Sequence, residues 1–208
     1  MKNDDVKLTV STGYDRVADD YLRLFGVSSV RQKKLEEFIE RLSPEASVLD
    51  LGCGAGVPVA KTLTKQNFKV TGVDISIGQI ERARRNVPAA TFVQEDKGSL
   101  NFAPDTFDGV CAFYSVTHVP RGEHRALVGR VAEWLRPGGI FIASLGASSG
   151  DWSGTWLGVP MFFSHNDPKE AEQIIRDAGL VLELAEFVKQ DNEATSFLWI
   201  TARKPSHP

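Results

Sequence analysis

Apolar residues recur at helical spacing through residues 10–42. Tyr14, Val17, Ala18, Tyr21, Leu22 and Phe25 fall at i, i+3, i+4, i+7 and predict one helix with a single buried stripe. Leu35, Phe38, Ile39 and Leu42 repeat the pattern in a second helix, and Ser43-Pro44 ends it. From there short apolar runs alternate with helical patterns. Strands are expected over Ser47–Leu51, Phe68–Val73, Thr91–Gln94, Phe107–Tyr114, Ile140–Leu145, Leu180–Val188 and Thr195–Ala202. Helices are expected over Val57–Gln66, Ile77–Asn86, Glu123–Leu135 and Lys169–Ala178. Gly179 serves as the last helix's C-cap.

Strands alternating with helices imply βαβ units and a parallel sheet. Only about six residues separate the last two strands, too few for the crossover that parallel neighbours need, so this pair is expected to be antiparallel. Gly146–Asp167 fits neither pattern and reads as a long irregular insert, a class of loop that tends to be functional. Composition adds bounds. The 208 residues are 42% hydrophobic and 25% charged, ordinary for one globular domain. No apolar run approaches a membrane span, and the N-terminus lacks a secretory apolar core. A net charge of −3 lowers the prior for a nucleic-acid partner. Cys53 and Cys111 form neither a disulfide framework nor a metal motif, which suits a reducing cytosol.

The sharpest chemical feature is Asp50-Leu51-Gly52-Cys53-Gly54-Ala55-Gly56, between a strand and a helix. Glycines there permit a tight turn and close backbone approach to a ligand. The spacing is G-x-G-x-G rather than the dinucleotide G-x-G-x-x-G, because position 57 is Val57. The preceding acid suits a cationic ligand better than a pyrophosphate. Asp74 follows the next strand, where an acid commonly holds ribose hydroxyls, and Asp96 follows the third. Each of the three acids alone has an ordinary reading as a turn or helix cap.

The chain resembles the class I S-adenosylmethionine-dependent methyltransferases. The resemblance rests on VLDLGCGAG at 48–56, VTGVDIS at 70–76, FVQED at 92–96, FDGVCAFYSVTHVPR at 107–121 and LRPGGIF at 135–141. It implies a Rossmann-like, doubly wound α/β sheet of seven strands, the last antiparallel, with N-terminal helices and a lid insert after the fifth strand. Residues 1–43 would form the helical cap, 44–145 the cofactor-binding core, 146–167 the lid and 168–203 the closing elements of a single domain. S-Adenosylmethionine would be the cofactor, S-adenosylhomocysteine the product, and no metal is expected. The loop at Gly52, Gly54 and Gly56 would face its methionine part, Asp74 would hold its ribose hydroxyls, and Asp96 with Lys97 would flank its adenine; Asp50, Cys53 and Ile75 would also bind it. Tyr14 or Tyr21 would reach it from the first helix, and Phe113 and Tyr114 from the end of the fourth strand. Core packing is the competing reading for these aromatics.

The acceptor is expected to be a small molecule held by Trp152, Trp156, Met161, Phe162 and Phe163 of the insert, whose alternative role is a packed flap or dimer contact. His118 and His165 are the candidate general bases. Their ordinary readings are a turn cap and a solvated loop histidine. His124 and His207 are poorer candidates. The strand end Ala112-Phe113-Tyr114-Ser115 lacks the element of amino-methylating DNA enzymes, and no Pro-Cys nucleophile of cytosine methylation is present. Neither nucleic acid nor membrane is expected as a partner, and the chain should be a cytoplasmic monomer or homodimer. Competing functions are a nicotinamide oxidoreductase, a methyltransferase of protein or RNA, and a non-catalytic cofactor-binding module.

Overall fold

The computed structural model describes residues 3–191 and 195–206; His207 lies outside them. The first two helices are α1 (Asn3–Phe25) and α2 (Ser29–Ile39). The alternating core runs β1 (Ser47–Leu51), α3 (Val59–Lys65), β2 (Lys69–Asp74), α4 (Ile77–Asn86), β3 (Thr91–Gln94) and β4 (Phe107–Ala112). A 3-10 turn at Val116–His118 leads to α5 (Arg121–Trp134) and β5 (Leu135–Gly146). There follow β6 (Gly150–Trp156), β7 (Val159–His165), α6 (Pro168–Asp177), β8 (Val181–Lys189) and β9 (Ser196–Arg203).

Local chemistry sets the helix starts. Ser28, Ser76 and Asp167 cap α2, α4 and α6, each side chain accepting from a backbone N–H inside the first turn. Gly179, at φ +81, ends α6 and donates its N–H to Arg176, as the sequence predicts. Seven strands form one sheet in the order β3-β2-β1-β4-β5-β9-β8, and β9 runs antiparallel to both neighbours. Trp134, Val131 and Val128 of α5 and Ile174 and Ile175 of α6 fill one face. Leu35 and Phe38 of α2, Ala60 and Leu63 of α3, and Ile80 and Ala83 of α4 fill the other. Burying one such large side chain stabilises the fold by roughly 1.5–3 kcal/mol. No helix among the described residues is long and apolar enough to cross a membrane.

Several element ends shift: α1 starts at Asn3 rather than near residue 10, α3 starts at Val59 and β4 ends at Ala112. Two further differences bear on the site. β5 begins at Leu135 rather than Ile140, because Leu135 pairs with Phe107 before the register shift at Gly109. The stretch Gly146–Asp167 is not an irregular loop: β6 and β7 pair antiparallel, Gly150 with His165 through Trp156 with Val159. Leu157 and Gly158 turn the hairpin, both at positive φ, the geometry two-residue hairpin turns favour. The hairpin packs on α1, whose Val6, Val10 and Val17 meet Val159, Met161 and Phe162 in a separate apolar cluster.

Candidate active site

The strand order reverses between β1 and β4, and ligands of doubly wound sheets bind outside the carboxyl ends of the strands at such a switch point. The glycine loop leaves β1 there. Gly52 has φ +84, and a β-carbon on it would collide with Ser115, which follows β4. Gly54 has φ +51, but its missing side chain faces open space, the nearest atom being Gln79 Oε1 at 3.9 Å. Gly56 faces inward against Phe92, Val87 and Ala83. Gly52 and Gly54 therefore shape the cleft, and Gly56 packs behind it.

Small hollows of about 40 and 50 Å³ lie on either side of this loop. Asp50, Gly52, Cys53, Gly54, Gln79, Arg31 and Phe113 line the first. Asp74, Ile75, Lys97, Tyr14, Tyr21, Phe113 and Tyr114 line the second, with His118. Asp50 is buried, and desolvation raises its carboxyl to about 7. The Cys111 thiol lies 3.7 Å from its Oδ1, while its Oδ2 has no partner. Asp74 accepts from the Gly54 and Ser76 N–H groups at 2.9 and 3.0 Å. Asp96 sits at the rim, tied to Lys7 at 2.8 Å and to Gly98 N at 3.0 Å.

Beside these hollows opens a cavity of about 430 Å³, within the range of small-molecule pockets. Tyr14, Tyr21 and Phe25 of α1, Trp152, Trp156 and Phe163 of the hairpin, and Tyr114 wall it. Trp156 stacks on Phe25 at 5.8 Å between centroids. Tyr14, Tyr21, Tyr114 and His118 face this cavity and the Asp74 hollow at once.

A family model described as a methyltransferase domain matches residues 48–139. A methyltransferase from Synechocystis is 30% identical over 167 residues, covering 80% of this chain and 77% of its own. The chain belongs to the class I S-adenosylmethionine-dependent methyltransferases. An O-methyltransferase from Pyrenophora dematioidea is 33% identical over 150 residues, or 64% of this chain and 55% of the relative, so the chain spans about half that relative's length. The crystal structure of a Burkholderia thailandensis 1,6-didemethyltoxoflavin-N1-methyltransferase, with its acceptor and S-adenosylhomocysteine bound, has the same fold. Its TM-score is 0.80 at 20% identity, covering 99% of this chain and 91% of that one.

The methyltransferase cleft fits the family's cofactor by its chemistry. S-Adenosylmethionine brings hydrogen-bond donors: an ammonium, two ribose hydroxyls and an adenine amino group. The cleft holds two buried acceptors without partners, Asp50 Oδ2 and Gln79 Oε1, and buried acceptors left open are costly. Among the described residues no cluster of His, Cys, Asp and Glu could hold a metal.

The two candidate bases of the methyltransferase separate clearly. His118 is buried, and both ring nitrogens are engaged at 2.8 Å. The Phe162 carbonyl can only accept, so Nδ1 donates to it and Nε2 accepts from the Tyr14 hydroxyl. Desolvation lowers its pKa to about 3, too weak a base for proton removal near neutrality. His165 ends β7 and lines the large cavity; its Nδ1 is buried beside Gly146 without a partner, and partial desolvation lowers its pKa from the usual histidine value. Its ring lies where a side chain on Gly146 would stand, so only glycine fits there. His124 is structural: it bonds the Val119 carbonyl and the Asn166 amide.

Two expected acceptor contacts lie elsewhere. Met161 and Phe162 point away from the cavity into the cluster with α1. Alternation sets Phe162 on the hairpin face opposite Trp152, Trp156 and Phe163, whereas Met161 shares their face and is buried under α1, its methyl against Gly13. The pattern missed Gln79, Arg31, Ser115 and Gln190. A glutamine on the apolar stripe of α4, one position before Ile80, is the signal that was present for Gln79. Arg31 reaches the site from α2, its guanidinium 5.1 Å from the Tyr114 ring.

Proposed function

We propose that this chain transfers a methyl group from S-adenosylmethionine to a small, flat, largely apolar acceptor. The observation that carries the reading is the wall shared by the two spaces. Tyr14, Tyr21, Tyr114 and His118 border both the hollow beside Asp74 and the 430 Å³ aromatic cavity. A donor in one and an acceptor in the other meet across that wall, the arrangement an in-line displacement requires.

When bound, the cofactor supplies an electrophilic sulfonium methyl group. The chain's residues then have distinct tasks. Asp50 and Gln79 accept from the ammonium, and Asp74 accepts from the ribose hydroxyls. Trp156, Phe25 and Phe163 present an aromatic wall to the acceptor and exclude water. Positioning of this kind is worth ~7–11 kcal/mol of a barrier. Tyr14 and His118 hold one another and the hairpin in place. His165 takes the proton of an acceptor hydroxyl or amine.

The test is incubation of the protein with S-adenosylmethionine and a panel of phenols, heteroaromatic amines, peptides and RNA, read by mass spectrometry. Methylation confined to flat small molecules, with a raised KM in Trp156→Ala, supports the reading. Turnover of peptide or RNA alone, or binding without turnover on any acceptor, overturns it.

A further inference from the structure

Lys97 stands out among the groups facing the cofactor cleft. It follows Asp96 just beyond β3, and its side chain turns inward rather than toward water, leaving the residue only 8% exposed. The ammonium donates to the Ser115 carbonyl at 3.1 Å and stands 3.1 Å from where a side chain on Gly52 would begin. It borders both the Asp74 hollow and the next one along the Asp96 rim. Among the described residues no carboxylate lies close enough to form an ion pair with it; Asp74, Asp96 and Asp50 influence it from farther off. Asp96, the adjacent acid, is engaged by Lys7 instead. The cleft thus contains an ammonium that no carboxylate among the described residues pairs with directly; burial lowers its pKa, and the charge it carries acts strongly because it is desolvated.

The two forms of the cofactor differ in charge. S-Adenosylmethionine carries a net positive charge from its sulfonium, whereas S-adenosylhomocysteine is a neutral zwitterion. Asp50 and Asp74 favour the cation, and Lys97 and Arg31 oppose it. Resting on the cofactor reading above, we propose that Lys97 sets the charge preference of the cleft. Its ammonium weakens the sulfonium substrate relative to the thioether product. Lys97 is in this sense a specificity residue for the form of the cofactor rather than a group that touches the reacting methyl.

Calorimetric titration of both ligands into wild type, Lys97→Met and Lys97→Arg tests this. Wild type should bind S-adenosylhomocysteine the more tightly. In Lys97→Met the ratio of the two dissociation constants should move about tenfold toward S-adenosylmethionine, while Lys97→Arg, which keeps the charge, should hold the wild-type ratio. Inhibition by product in turnover assays should weaken in parallel. A ratio that stays within about twofold in Lys97→Met, with both affinities moving together, overturns the role of Lys97 and leaves the cofactor reading intact. Wild type that binds neither ligand overturns the cofactor reading and this role with it. Should Lys97→Met fail to fold, wild type itself decides: equal or tighter binding of the sulfonium form contradicts the proposal.

Discussion

The Tyr14 hydroxyl donates to Nε2 of His118 across 2.8 Å, tying α1 to the turn that follows β4. Because Nδ1 of the same ring donates to the Phe162 carbonyl, also at 2.8 Å, one neutral imidazole joins three elements around the two cavities. Burial lowers its pKa from 6.5 to about 3, so the folded chain resists protonation where the unfolded chain accepts it. Stability from this group is complete above 6.5 and is lost as pH falls toward 3. The loss is about 1.4 kcal/mol per pH unit. Urea unfolding of His118→Gln should show a shallower fall across that window than wild type. Parallel profiles would mean that His118 is charged in the fold.

His165 should behave differently. A general base contributes about 10²–10⁴-fold, so His165→Asn should lower kcat by that order on acceptors whose nucleophile carries a proton. Cofactor affinity should stay unchanged, since His165 borders the large cavity and neither hollow of the glycine loop. Turnover equal to wild type would leave positioning as the whole mechanism.

Asp50 predicts a pH dependence of cofactor binding. Burial raises its carboxyl to about 7, and only the ionised form pairs with an ammonium. Affinity should therefore fall as pH drops below that value, by about tenfold per unit. Asp50→Asn should bind weakly with a flat profile. A pH-independent affinity in wild type would remove Asp50 from the ammonium site.

The glycine-loop half of the candidate site was legible because its chemistry is local. Asp50, Gly52, Gly54 and Asp74 sit beside strand ends, and a strand end plus a glycine loop fixes their placement. The hairpin was less legible. Its Trp152, Gly154 and Trp156 do alternate with Asp151, Ser153 and Thr155, but glycine and serine weaken the signal and the turn is Leu157-Gly158 rather than Asn-Gly. The roles of Arg31 and Lys97 depend on long side chains crossing between elements. No spacing within a single segment reports such contacts.

One more contact set was invisible in the pattern. Lys7, Ser11, Asp15 and Asp19, spaced one helical turn apart, bind Asp96, the Ile75 carbonyl, Ser76 and Arg82, laying α1 across the cofactor cleft. Asp15 accepts from Ser76 Oγ at 2.5 Å and Gly78 N at 2.9 Å. Removing it in Asp15→Ala should cost about 1–2 kcal/mol and speed proteolytic cleavage within α1. Bound S-adenosylhomocysteine should slow that cleavage again. Unchanged cleavage would show that the aromatic contacts alone hold the helix.

The most direct test of the whole account is calorimetric titration of S-adenosylhomocysteine into wild type and Gly54→Val. The wild-type chain should bind with a dissociation constant near micromolar, about −8 kcal/mol. Gly54→Val, which puts a branched side chain into the open cleft at a positive φ, should fold and bind nothing measurable. A folded wild-type chain that does not bind, or a valine variant that binds as well as wild type, would contradict the placement of the cofactor at this loop.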